Sequence, residues 1–382
     1  MKTLIPTLAI AFFLSFLSER RSSRRLNEFG QPEYVRKDRF FFFLMAFAMA
    51  FFVGLRTRGN DTLAYRIMYE NQTPGTNPIQ MLTSMKIASS PGLYFLAACL
   101  KNIGATTQDY FMACAMFTIL TYLWFLRKHT TDIWLSVFYF ITMGVYTFTM
   151  AAIKQTLAVA FLLIATDRAF DRKWLKYFLW VAVAELFHPY AFVYLVVPFL
   201  SFCPWSRKTW YLLAGTVAAA LFLPRLMDVI GDMTDALGYD YDEDAFTGGG
   251  VNTFRVIAQE NTPYTVNILT KSVEMELRGS ESREQNMIVN LSMINSVIMF
   301  IGLFGTANYF ARLANYFLMF QCLALPMILQ KFDRQSERTL RFLSEVGFLG
   351  FFYYGTAVAQ GKFDVNFSFI SVSEFLDQLF KG

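Results

Sequence analysis

A chain of 382 residues that is 55% hydrophobic and 18% aromatic but only 16% charged carries more apolar surface than one soluble core can cover. Its net charge of +5 does not point to nucleic acid, because the basic residues fall in short clusters between apolar runs, where they report orientation in a membrane. Cys99, Cys114, Cys203 and Cys322 stand singly with no paired spacing, which excludes a disulfide framework and leaves packing as their role.

The expected fold class is therefore all-α: a polytopic membrane helical bundle of about 11–13 spans, with re-entrant or interfacial segments. One transmembrane domain is expected over 1–360, with an interfacial tail over 361–382. Met1 to Phe16 reads as a retained first span, since it lacks a small-residue cleavage site. Seven Lys/Arg residues lie between Arg20 and Arg39 and place that connection in the cytoplasm. The run Phe40 to Leu55 then leads outward, to outer-face loops over 56–107 and 225–253.

Pro91 to Gly104 is expected to stay on the outer side without crossing, so that the basic clusters Arg127-Lys128, Arg168 to Lys176, Arg207-Lys208 and Lys331 to Arg341 all face inward. The expected spans that follow are 108–126, 133–150, 152–169, 173–187, 189–205 and 209–224. Beyond the acidic outer loop come a weakly apolar span over 254–270 and further spans over 287–304, 307–329 and 340–357. No internal repeat marks a transporter built from duplicated halves.

With this topology, the polar residues that depart from the positive-inside pattern gather at the outer face: Arg56, Arg58, Asp61, Lys154, His188, Arg255 and Arg312. Arg56 and Arg58 offer forked donors suited to phosphate or carboxylate, against the plainer reading of a solvated loop with a snorkelling arginine. Asp61 is placed to orient an arginine or to accept a proton. Lys154 and Gln155 occupy the first turn of a span whose amino end faces outward, where lysine charge, exposed amides and helix dipole add together.

Glu185 lies one turn before His188, and such a pair moves protons near neutral pH or, in the plainer reading, caps a membrane hairpin. Asn308, Arg312 and Tyr316 recur every four residues, and an arginine inside apolar sequence is costly unless it is paired or faces a cavity. The carboxylates of Asp240 to Asp244 lack the glycine and distal glutamate of a calcium loop. No Cys/His metal spacing, phosphate-cradling glycine loop or nucleophile elbow is present.

Four stretches in order resemble the EpsG-type family of exopolysaccharide polymerases, which are Wzy-like membrane proteins. They are Arg56, Gly59, Asp61 and Tyr65 of the first outer loop; Lys154-Gln155-Thr156-Leu157-Ala158; Glu185-Leu186-Phe187-His188-Pro189-Tyr190-Ala191; and Ala311-Arg312-Leu313-Ala314-Asn315-Tyr316-Phe317. The family usually carries arginine where this chain has Lys154.

The resemblance implies a glycosyltransferase that joins undecaprenyl-diphosphate-linked oligosaccharide repeats at the outer face of the bacterial cytoplasmic membrane. Flippase and chain-length regulator proteins are the further partners it implies, besides membrane lipid. Arg56, Arg58, Lys154, Gln155 and Arg312 would hold the diphosphate. His188, Asp61 and Glu185 would handle the proton of the attacking hydroxyl, supported by Tyr65, Asn308 and Tyr316. Cations that neutralise a leaving diphosphate make a metal redundant, so no metal and no cofactor are expected. The alternatives are an O-antigen-type ligase using the same donor and a non-enzymatic lipid-linked oligosaccharide flippase.

Overall fold

The computed structural model describes residues 3–26, 32–204, 206–221, 282–302, 307–359 and 367–381. The acidic run 240–244, Arg255 and the expected span 254–270 lie outside the described residues. In chain order come α1 (Leu4–Arg21), the antiparallel hairpin of β1 (Ser23–Leu26) and β2 (Pro32–Arg36), α2 (Phe40–Gly54) and β3 (Arg56–Arg58). Next are α3 (Thr62–Glu70), α4 (Pro78–Ser84), α5 (Pro91–Asn102), α6 (Thr107–His129), α7 (Ile133–Thr142), α8 (Val145–Ala151), α9 (Ile153–Phe170) and α10 (Trp174–Glu185). A 3₁₀ segment, Pro189–Leu200, leads on to α11 (Arg207–Leu221), α12 (Arg283–Gly302), α13 (Ala307–Ala314), α14 (Leu318–Leu329) and α15 (Arg334–Tyr353). The last elements are β4 (Ser368–Phe369) and α16 (Val372–Lys381).

The fold is all-α apart from these short strands. Met1–Tyr194 with Thr356–Gly382 form one compact unit, and Leu195–Gly355 form another. Among the described residues, Thr107–His129 and Arg283–Gly302 are long and apolar enough to cross a membrane as single helices. The pair Ile133–Thr142 and Val145–Ala151 qualifies as one span bent by 45°. Phe40–Gly54, Pro189–Leu200 and Leu318–Leu329 are shorter apolar helices. Large apolar side chains such as Phe13, Phe43, Leu175 and Leu179 are exposed, an arrangement suited to lipid rather than water.

In the first unit, α6 is the longest element, and both of its ends are set by local chemistry. Thr106 and Asp109 form a reciprocal capping box at its start, with the Thr106 amide donating to Asp109 Oδ2 at 2.8 Å and the Asp109 amide donating to Thr106 Oγ1 at 3.2 Å. Arg127, Lys128 and His129 fill its last turn, where cations suit the carbonyl end. Lys37 Nζ donates to the carbonyls of Arg127, Lys128 and Thr130 at 2.8 Å each. Arg127 replies with bonds to the Asp38 and Lys37 carbonyls, also at 2.8 Å.

The same end of this unit carries the β1–β2 hairpin. Arg24 pairs with Glu19 at 2.7 Å, and the Tyr34 hydroxyl donates to Glu19. Burial and the Glu19 carboxylate push the Tyr34 phenol far above its usual range, which keeps that donor protonated. The Ile133 amide is shared between Tyr34 at 2.9 Å and Glu19 at 3.0 Å, tying the hairpin to the start of α7. Asp132 caps α7 by accepting from the Leu135 amide at 2.8 Å.

Several expected spans are found as helices, but two are broken. The 133–150 span bends at Met143–Gly144 between α7 and α8. The 307–329 span is interrupted by a turn at Asn315–Phe317, where the Tyr316 and Phe317 amides reach back to the carbonyls of Leu313 and Ala314. The expected short outer segment appears as α5. Its Gly92 amide donates to the Leu186 carbonyl at 2.7 Å, which seats the start of α5 against the chain just past α10.

Gly92 makes this close approach possible, since a Cβ there would lie 2.9 Å from the Leu186 oxygen and 3.0 Å from the Phe187 ring. Gly92→Ala is therefore expected to cost about 1–3 kcal/mol through overpacking. Thermal unfolding of the purified protein in detergent should show the lowered midpoint; an unchanged midpoint would mean that this joint opens freely.

Candidate functional site

The first unit gathers its unusual polar residues where α2 ends. α2 is apolar throughout, so the chain leaves it at Leu55 carrying Arg56 directly into a buried position. Arg56 is 2% exposed, and its NH1 donates to the carbonyls of Thr149, at 3.4 Å, and Met150. Its guanidinium lies 5.7 Å from the centre of the Phe111 ring. Burial lowers its pKa to about 10, so it stays charged at neutral pH. Gln108 Nε2 fixes the backbone on either side, donating to the Gly54 carbonyl at 2.5 Å and the Arg56 carbonyl at 3.3 Å.

The carbonyls that Arg56 holds belong to the last turn of α8, whose final carbonyls have no partner within the helix. The next one, Ala151, accepts from Asn60 Nδ2 at 3.1 Å. After Ala152 the chain turns directly into α9, so the carbonyl end of one helix adjoins the amide end of another. Lys154 is half-buried and Gln155 buried in that first turn of α9. With the α8 carbonyls occupied by Arg56 and Asn60, the positive end of α9 and the Lys154 ammonium set the local potential.

Arg58, Asn60 and Asp61 are exposed around this junction. Asp61 precedes α3 without capping it through its side chain. Tyr65 is 8% exposed and interacts electrostatically with Arg56.

His188 and Glu185 stand at the same end of this unit. α9 and α10 form an antiparallel hairpin around the turn 171–173, so positions equally far from the turn stand level, which puts Gln155 and Thr156 at about the level of His188. The Phe161 ring confirms the register, lying 5.9 Å from Trp180 and 5.0 Å from Phe187. His188 is buried, and its Nδ1 accepts from the Tyr190 amide at 3.4 Å. In the neutral ring this places the proton on Nε2. Glu185 accepts from the Phe192 amide, while its Oε2 is buried without a hydrogen-bond partner.

Three of the four stretches singled out in the sequence thus meet at one end of the first unit. The fourth belongs to the second unit. There Arg312 is exposed in the last turn of α13, Asn308 lies in the same helix, and Tyr316 is fully buried in the turn beyond it. Asn295 Nδ2 holds the Ala314 carbonyl at 2.7 Å, and Gln321 Nε2 donates to the Ser292 carbonyl at 2.9 Å. Among the described residues, no group of three or more His, Cys, Asp or Glu side chains could hold a metal ion.

Sequence reasoning missed Gln108 and Asn295. Gln108 did carry a signal, an amide in the first turn of an otherwise apolar span; Asn295 is one of several small polar residues spread along α12 and stood out by nothing.

The EpsG family model matches residues 39–371. No curated protein matches the chain. No solved structure matches it either. A match over nearly the whole chain, together with apolar helices long enough to cross a bilayer, makes this a membrane protein that belongs to the EpsG family, a family associated with exopolysaccharide polymerisation.

Proposed function

We propose that this protein joins undecaprenyl-diphosphate-linked oligosaccharide repeats at the outer face of the bacterial cytoplasmic membrane. The observation that carries this reading is the α8–α9 junction, where Arg56 and Asn60 occupy the carbonyl end of α8 next to the amino end of α9, which carries Lys154 in its first turn, with Arg58 exposed between Arg56 and Asn60 in sequence. A diphosphate on a lipid is the ligand such a positive rim suits. In the proposed reaction a hydroxyl oxygen of one repeat attacks the anomeric carbon of another. The bond from that carbon to the diphosphate oxygen breaks, and Arg58 and Lys154 stabilise the charge that develops on the leaving group.

The attacking hydroxyl must lose a proton. With Nδ1 occupied, His188 presents an Nε2–H donor, so Glu185, which has an unpartnered oxygen, is the better acceptor in this reading. Asp61 is the second carboxylate at this end. Arg56 acts from below by holding α8 in place. The family resemblance also gives Arg312 a diphosphate role, which its own substitution tests.

The test is purified protein incubated with a defined undecaprenyl-diphosphate oligosaccharide. Polymer is expected; transfer only to a foreign acceptor would make the protein a ligase, and translocation in vesicles without bond formation would make it a flippase. In the same assay, Arg56→Lys should lower the rate at least about tenfold, because lysine is shorter and lacks the planar guanidinium that lies over Phe111 while it holds the α8 carbonyls, a charged contact worth roughly 1.5–3 kcal/mol. Arg312→Lys should also lose polymer, whereas Lys154→Arg, which restores the usual family residue, should keep it. Normal chain length in Arg56→Lys and Arg312→Lys would remove both arginines from the mechanism.

Activity should also survive excess chelator, since the cations already present neutralise the leaving group and repel a divalent ion. Loss of turnover with EDTA, recovered by magnesium, would overturn that part of the mechanism.

A further inference from the structure

β4 comes from the far end of the chain and pairs antiparallel with β3, the strand that carries Arg56 and Arg58. Arg56 lies opposite Phe369 and Arg58 opposite Ser368, so two steps along β3 match one step along β4, and Thr57 is the extra residue of a bulge. In a regular strand, residues two apart point to the same face. Here Arg56 is buried and Arg58 exposed. The bulge is what separates them, and it exists only against the partner strand.

The rest of the tail is fastened to the same place. The Ile370 amide donates to the Leu55 carbonyl at 3.0 Å, just before Arg56. Phe369 stacks on Phe52 with ring centres 4.4 Å apart, and Phe375 of α16 meets Phe51 edge-on at 5.6 Å. Ser371 and Glu374 cap α16, with the Ser371 amide donating to Glu374 Oε2 at 2.8 Å. Phe367 covers Gly59, whose φ of 152° and missing Cβ let the loop pass beneath that ring.

We infer that the tail, residues 367–381, is a positioning element for the diphosphate site: by pairing with β3 it creates the bulge at Thr57 that turns Arg58 outward while Arg56 stays buried. The inference rests on the reading that Arg58 contacts the diphosphate. Ile370 acts through its amide, and Phe369 through its stack on Phe52; neither touches the ligand.

Farnesyl diphosphate binding to the purified full-length protein provides the test, read together with polymer formation. Arg58→Ala is expected to weaken binding about tenfold, the effect of losing a charged hydrogen bond. Ile370→Pro, which removes the amide, should weaken it to a similar degree. The double variant should be no weaker than either single one, since both act through one contact. Ile370→Ala keeps the amide and should bind within about twofold of the parent. Phe369→Ala offers a second probe that leaves the backbone intact, and it should fall between them.

Multiplying losses in the double variant, or full binding by both Ile370→Pro and Phe369→Ala, would overturn the positioning role while leaving the diphosphate reading in place. Full binding by Arg58→Ala would remove the diphosphate reading and the inference with it.

Discussion

A charged guanidinium buried beneath the end of α2 is the constraint on which the first unit depends. Arg56 is enclosed among aromatic side chains, and a charge in such a place must be partnered or it destabilises the fold by about 3–5 kcal/mol. Its partners are the carbonyls that α8 leaves unpaired at its own end. Each requirement answers the other, since a helix that stops inside a membrane protein needs donors and a buried arginine needs acceptors. Asn60 extends the same solution by one carbonyl, and Gln108 holds the backbone on either side of Arg56 through the Gly54 and Arg56 carbonyls.

The consequence is electrostatic asymmetry at the α8–α9 junction. Two helix ends of opposite sign adjoin there, and left alone they would largely cancel. With the negative end occupied by Arg56 and Asn60, the positive end of α9 is no longer cancelled. At the other end of the unit the same chemistry serves rigidity instead: Lys37, Arg127, Arg24 and Tyr34 spend their donors on carbonyls and carboxylates that knit the β1–β2 hairpin to α6 and α7. The proposed outer rim has fewer cations, arranged around a junction.

Much of this was legible in the sequence because helix ends write themselves locally. α6 and α9 stop, and α10 starts, within a few residues of where apolar runs meet basic clusters, and the Thr106/Asp109 box marks the start of α6. The breaks at Met143–Gly144 and Asn315–Phe317 were not legible, since one glycine or one asparagine inside an apolar run barely changes its hydropathy. Lys154-Gln155 and His188 come level through a simple hairpin, because they lie at similar distances from its turn. The burial of Arg56 was not legible, because the acceptors it uses are backbone carbonyls more than ninety residues away. β4 was invisible for a related reason: a two-residue strand has no pattern of its own, and its partner is near the opposite end of the chain.

In the proposed topology the α8–α9 junction lies outside the cell and the β1–β2 hairpin inside. Single cysteines at positions 25 and 60, introduced after Cys99, Cys114, Cys203 and Cys322 are replaced, can be probed in intact cells with a membrane-impermeant thiol reagent. Position 60 should label at once, and position 25 only after the membrane is permeabilised. Labelling of position 25 alone in intact cells would put the cationic junction in the cytoplasm and contradict polymerisation at the outer face.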